Sequence, residues 1–162
     1  LFRSLFLKNI FFTLLVPGTI AVLFPLLILD GNIEFIGNTV SFGALLMLVG
    51  FYIYCWCVWD FYKYGKGTPF PYDAPKILVI RGLYSYSRNP MYMGVLLFII
   101  GMAVISLSIF LLLYVFIVML SFQMIIIFYE EPGLQTIFGH DYTNYCRLVG
   151  RWFPVDFLSG KN

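Results

Sequence analysis

The sequence predicts an all-α integral membrane protein: a bundle of four transmembrane helices plus a C-terminal interfacial helix. Three observations point there. Of 162 residues, 61% are hydrophobic and 11% charged, where a soluble domain carries about 25% charged residues. Long uncharged runs recur along the chain, and every basic residue falls on one side of the spans they define. The length suits one domain over residues 1–162, without internal repeats or low-complexity linkers. The formal net charge of +2 is uninformative, and no nucleic-acid partner is expected.

The first uncharged run is residues 9–29, interrupted by Pro17 and Pro25. It reads as a retained span rather than a signal peptide, because it is long, holds two prolines and lacks a small-residue cleavage site. The second run is residues 35–59. Residues 89–129 hold no Asp, Glu, Lys or Arg and are expected to form spans three and four, turning near Ser106-Leu107-Ser108. At 1.5 Å rise, about 20 residues cross a ~30 Å hydrocarbon core, so one helix over that run would be about twice too long.

Arg3 and Lys8 precede span one. Lys63, Lys66, Lys76, Arg81 and Arg88 lie between spans two and three, and Arg147, Arg151 and Lys161 follow span four. The opposite loops carry only Asp30 and Glu34 as charges. The positive-inside rule then makes both termini and the loop at residues 60–88 cytoplasmic. Cys55, Cys57 and Cys146 are odd in number, and two lie inside span two, so free thiols packed like small apolar groups are expected. No zinc-type ligand cluster is present.

Two spans out and back return the chain to the side it left. Arg88-Asn89-Pro90-Met91-Tyr92 before the hairpin should therefore meet Glu130-Glu131 after it. Ionisable groups at a bilayer face are functional-site candidates. Asn89 is expected to cap span three, with Pro90 at its first position. The free N–H groups near Met91 and Tyr92 could then hold a carboxylate or phosphate, with Arg88 beside them. Taken alone, that motif also reads as a well-capped helix. Glu130 and Glu131 tilt the reading toward function, because stops on this side of a membrane are normally basic. Pro132 is expected to end the helix there.

Other groups read as structural. Residues 65–75 are rich in Gly and Pro and form a loop; Ile77-Leu78-Val79-Ile80 either dips into the headgroups or lines a cleft. Gly94 and Gly101, seven apart, should permit close helix packing. Trp56, Trp59, Tyr62 and Tyr64 resemble an aromatic interface belt. His140 reads as a surface turn residue, and Gln123 as a partner for a neighbouring helix. After Pro132, Leu134, Ile137, Phe138, Tyr142 and Tyr145 follow helical spacing, suiting a segment on the membrane surface.

Gly82-Leu83-Tyr84, Arg88-Asn89-Pro90-Met91-Tyr92-Met93-Gly94 and Glu130-Glu131-Pro132-Gly133-Leu134, with Phe138-Gly139 and Tyr142, resemble the isoprenylcysteine carboxyl methyltransferase and phospholipid methyltransferase family. The likeness covers residues 65–154 and is close to the small bacterial members. It implies an S-adenosylmethionine-dependent methyltransferase of the bacterial inner membrane, with a cytoplasmic active site and a lipid or lipophilic small-molecule acceptor. It implies cofactor contacts from Asn89, Pro90, Met91, Tyr92 and Glu130, with Tyr84 and the backbone of Lys76, Ile77, Leu78 and Val79 opposite. Arg88, Asn89 and Glu131 are the catalytic candidates. Asn89 stands where the isoprenylcysteine enzymes have His, and Asn cannot titrate. Ile126 replaces their substrate-binding Arg, removing the cation that would pair a prenylcysteine carboxylate. Two rival classes remain: a membrane reductase with a nicotinamide cofactor, and a non-catalytic scaffold whose polar motifs only cap helices.

Overall fold

The computed structural model describes residues 17–30, 37–65 and 77–154, and among them every regular element is a helix. Helix α1 spans Thr19–Leu29, α2 spans Gly37–Gly65, α3 spans Pro90–Ser106 and α4 spans Ile109–Phe138. Helix α5, His140–Leu148, follows, and a single 3₁₀ turn, Gly82–Ser85, precedes α3. Helices α2 and α4 are long and apolar enough to cross a membrane, while α1 and α3 are shorter apolar helices. The most apolar windows of α2 and α4 are only 22% buried, unlike the core helix of a soluble protein. Their outward faces carry Phe42, Leu48 and Phe51, and Phe110, Phe116 and Phe128. With water as solvent such faces would be strongly unfavourable; with lipid they are natural.

Helices α2 and α3 make the most extensive helix–helix contact, and two glycine pairs set its distance. A Cβ on Gly50 would lie 2.6 Å from the Gly94 carbonyl oxygen, and one on Gly43 2.6 Å from that of Gly101. Small residues let two backbones touch, which is how helices gain packing energy in a solvent as apolar as themselves. Gly94 and Gly101 act as their spacing suggests; their partners Gly43 and Gly50 carry the same interval of seven. Beneath this seam, Tyr54, Val95, Ile99, Val118 and Phe122 form the main buried cluster.

The hairpin turns at Leu107, which adopts a left-handed conformation (φ 48°). Ser108 then caps α4, its Oγ accepting from the Leu111 N–H at 3.4 Å. The two helices with an internal proline, α1 and α4, each carry a widened π turn before the ring. In α1 the Phe24 N–H bonds back to the Thr19 carbonyl. In that register the Ile20 carbonyl would face Pro25, which has no N–H, and Tyr114 Oη donates to it instead at 2.8 Å.

In α4 the π turn is Ile126–Glu130, and the Glu131 N–H bonds to the Ile126 carbonyl. Pro132 therefore does not end the helix. Glu131 is helical (φ −61°, ψ −45°), and α4 runs on to Phe138. The expected C-terminal interfacial helix becomes two pieces, the end of α4 and α5, broken at Gly139 (φ 51°). Their apolar side turns inward: Leu134, Phe138, Tyr142, Tyr145 and Val149 pack together with Leu78, leaving Ile137 and Leu148 outward.

Candidate functional site

The two ends of the α3–α4 hairpin meet. Tyr92, in the first turn of α3, donates its phenolic hydrogen to Glu130 Oε1, and its ring lies 4.4 Å from that of Phe122. One residue on, Glu131 Oε1 lies 3.1 Å from Arg88 Nη1. Neighbouring residues on a regular helix point about 100° apart. The π turn runs up to Glu130 and alters the register there, and the two adjacent carboxylates reach two different partners. π turns recur at functional sites.

Arg88 sits where three elements converge. Its Nη1 also lies 2.7 Å from Cys146 Sγ and donates to Tyr142 Oη at 3.4 Å. Its Nε is buried and, among the described residues, has no acceptor. Cys146 is thus not an inert apolar filler, whereas Cys57 is fully buried in the core. Asn89 does not cap α3 as expected, since its side chain makes no cap bond. Its Nδ2 instead donates to the Arg151 carbonyl at 3.1 Å, and its backbone N–H to Ser87 Oγ at 3.1 Å. The side chain turns to a tertiary acceptor instead of accepting from the N–H groups of its own helix. Pro90 does occupy the first helical position.

The opposite wall is the segment from Ile77 to Ser85. Leu78 packs on the Tyr142 cluster. Val79 and Tyr84 are buried with Cys57, and Met91 packs against them. Ile77 is exposed. Lys76 and residues 66–75 lie outside the described residues. Gly82 adopts φ 61°, and a Cβ there would fall 2.6 Å from Asp60 Oδ2, so the turn carrying Tyr84 rests directly on a buried carboxylate. Beside it the Arg81 guanidinium stacks 4.1 Å over the Tyr64 ring.

Tyr145 Oη donates to the Tyr84 carbonyl at 2.6 Å, fastening α5 to that wall. Burial pushes the Tyr84, Tyr142 and Tyr145 phenols above their ordinary range. Arg151 is pushed up chiefly by its hydrogen bonds to Glu131, with Nε and Nη2 each 2.9 Å from a carboxylate oxygen. Trp152 Nε1 donates to Gln123 Oε1 at 2.9 Å, so Gln123 holds the C-terminal segment rather than a neighbouring span. His140 is exposed at the start of α5.

Sequence reading missed Arg151, Tyr145, Cys146 and Asp60 as members of these networks. Only Asp60 carried a signal, a lone acid at the end of an apolar run on the basic side. Together the residues form one partly buried polar cluster, a guanidinium and two carboxylates among phenol rings. That chemistry suits a zwitterionic ligand with an apolar body.

A family model described as phospholipid methyltransferase matches residues 38–141, which include both ends of the hairpin. No curated protein matches the chain.

Proposed function

This chain belongs to the phospholipid methyltransferase family, and from that premise we propose that it moves a methyl group from S-adenosylmethionine to a lipophilic acceptor resident in the bilayer, a lipid or isoprenoid-type small molecule. The observation that carries the reading is the Tyr92–Glu130 hydrogen bond, which joins the two ends of the hairpin; we read the polar cluster around it as the cofactor chamber. Family membership favours methyl transfer over a nicotinamide-dependent reduction or a purely structural role.

The donor set fits the cofactor. Arg88 has a buried Nε with no acceptor among the described residues, suited to the carboxylate of the methionyl part. Glu130 offers an acceptor for its ammonium or for ribose hydroxyls. The faces of Tyr92 and Tyr84 suit a sulfonium cation. Asn89, Pro90 and Met91 complete this wall, and Ile77, Leu78 and Val79 the other.

When bound, S-adenosylmethionine supplies a methyl group open to direct displacement by a nucleophilic atom of the acceptor. The protein's part is alignment and exclusion of water rather than proton transfer. Asn89, held by the Arg151 carbonyl, is a fixed hydrogen-bonding group. Glu131 orients Arg88. Lipid-facing apolar surfaces on α2 and α4 leave the acceptor free to enter laterally, with the cofactor arriving from the aqueous side.

The same reading takes four spans. Helix α3 has 17 residues, at the short end of what crosses a bilayer, and uncharged residues 9–18 extend the run that contains α1. The one-sided basic residues favour a cytoplasmic chamber, and the likeness to small bacterial members favours a bacterial inner membrane.

Calorimetry in detergent tests the proposal. S-adenosylmethionine binds and NADPH does not, and Glu130→Gln weakens binding by roughly tenfold or more, as expected for a charged hydrogen bond. Absence of S-adenosylmethionine binding, or an unaltered affinity in E130Q, would overturn it.

A further inference from the structure

The segment Gly150-Arg151-Trp152 lies beyond residue 141, where the family match ends, yet each of its residues is tied to the chamber. The Arg88 N–H donates to the Gly150 carbonyl at 3.0 Å. The Arg151 carbonyl accepts from Ser87 Oγ at 3.2 Å and from Asn89 Nδ2 at 3.1 Å. The Arg151 guanidinium grips both oxygens of Glu131 at 2.9 Å, and Trp152 reaches Gln123 at 2.9 Å. The strap thus touches three consecutive residues before α3, Ser87 to Asn89, and Glu131 near the end of α4.

We propose that Arg151 is a positioning residue for methyl transfer: by holding Glu131 in a two-pronged grip, it limits that carboxylate to a single contact with Arg88 and leaves the rest of the Arg88 fork for the cofactor. This rests on the reading of the chamber as an S-adenosylmethionine site.

The physical basis is competition for one carboxylate. A carboxylate accepts at about four lone-pair positions, and the fork-to-fork arrangement with a guanidinium is its strongest geometry. Arg151 occupies that geometry, and Arg88 keeps only Nη1–Oε1 at 3.1 Å. The three side chains are only 13–30% exposed, so solvent screens their choice of partner weakly. Without Arg151, Glu131 is free to take the two-pronged grip on Arg88 instead. That draws the Arg88 guanidinium away from Cys146 and Tyr142 and spends the donor the ligand's carboxylate needs.

Cofactor affinity, measured calorimetrically in detergent for the wild type, Arg151→Gln, Glu131→Gln and the double variant, tests this. Arg151→Gln weakens S-adenosylmethionine binding by roughly tenfold, the scale of one charge-assisted pair. In the Glu131→Gln background the same change adds no further loss, because the carboxylate through which Arg151 acts is gone. Additive losses, or an unchanged affinity in R151Q, overturn the proposal; a merely structural strap gives additive losses. Should R151Q not fold, Arg151→Lys carries the test. It keeps the charge and the backbone links but cannot grip two oxygens, so it loses affinity in the same direction, and wild-type affinity in R151K overturns the proposal. Failure of the wild type to bind S-adenosylmethionine removes the cofactor reading and this inference together, whereas wild-type binding with an unaffected R151Q removes this inference alone.

Discussion

Tyr92 and Glu130, separated by 38 residues and a full hairpin, share one hydrogen bond at the same face of the bundle. The phenol is the partner that keeps a half-buried carboxylate from standing alone. Tyr92→Phe removes it while preserving the ring contact with Phe122. The expected outcome is a folded protein whose methyl-transfer kcat/KM falls by roughly 10- to 100-fold, from the ~1.5–3 kcal/mol of a hydrogen bond to a charged group. Steady-state kinetics with saturating acceptor measures it. A loss confined to thermal stability would show the pair to be structural.

The α2–α3 seam makes an opposite demand. A Cβ on Gly94 would stand 2.8 Å from the Gly50 carbonyl oxygen and 3.0 Å from the Tyr54 nitrogen, both backbone atoms that cannot swing aside. Gly94→Ala therefore forces the helices apart and lowers stability by about 1–3 kcal/mol, as overpacking does. Gly133 lies in the last stretch of α4 with nothing within 4 Å of its would-be Cβ. Gly133→Ala raises stability by about 0.5–1 kcal/mol through the unfolded chain. Unfolding of both variants in mild detergent should move the midpoint in opposite directions.

Much of this arrangement was legible in the residues, and the part that was not follows a pattern. Charge-free runs and the one-sided basic residues located the helices, because exclusion of charge from lipid is a strong local rule. The turn at Ser106 to Ser108 and the meeting of Arg88 with Glu131 followed from counting spans. Pro132 misled, because a π turn two to six residues earlier in sequence accommodates the ring. Asn89 misled as a cap, because the Arg151 carbonyl, 62 residues away, competes for its amide. Arg151 itself lies in a short basic tail that looks like any positive-inside flank. Its role depends on chain reversal at Gly139, and nothing local announces that reversal except the glycine.

The phenols of Tyr142 and Tyr145 tie the C-terminal segment to Arg88 and to the Tyr84 carbonyl, and burial raises the affinity of the Tyr84, Tyr142 and Tyr145 phenols for their protons. Below their ordinary value of 10.0 both folded and unfolded chains keep these protons. Above it the unfolded chain releases them while the folded one does not, so stability falls as pH rises through about 10 and onward toward the higher folded values. Unfolding midpoints measured from about pH 8 to 11.5 should stay level and then drop. In Tyr145→Phe, which also loses the bond to the Tyr84 carbonyl, the plateau is lower and the alkaline drop shallower. A wild-type midpoint independent of pH across that range contradicts the assignment.

Leu107 and His140 offer a direct reading of topology, because both are exposed and stand at opposite ends of α4. If the hairpin crosses the bilayer with its polar ends toward the cytoplasm, only one of the two positions can be reached from outside. In a background with Cys55 and Cys146 replaced by Ser, Leu107→Cys should react with a membrane-impermeant maleimide in intact cells, and His140→Cys only after the cells are opened or the membrane inverted. Cys57, fully buried, should stay silent in both. Labelling of His140→Cys in intact cells would reverse the orientation and put the chamber on the side that lacks a cytosolic cofactor supply. Labelling of both positions from outside would mean that α4 does not cross at all, and the lateral entry of a bilayer acceptor would fail with it.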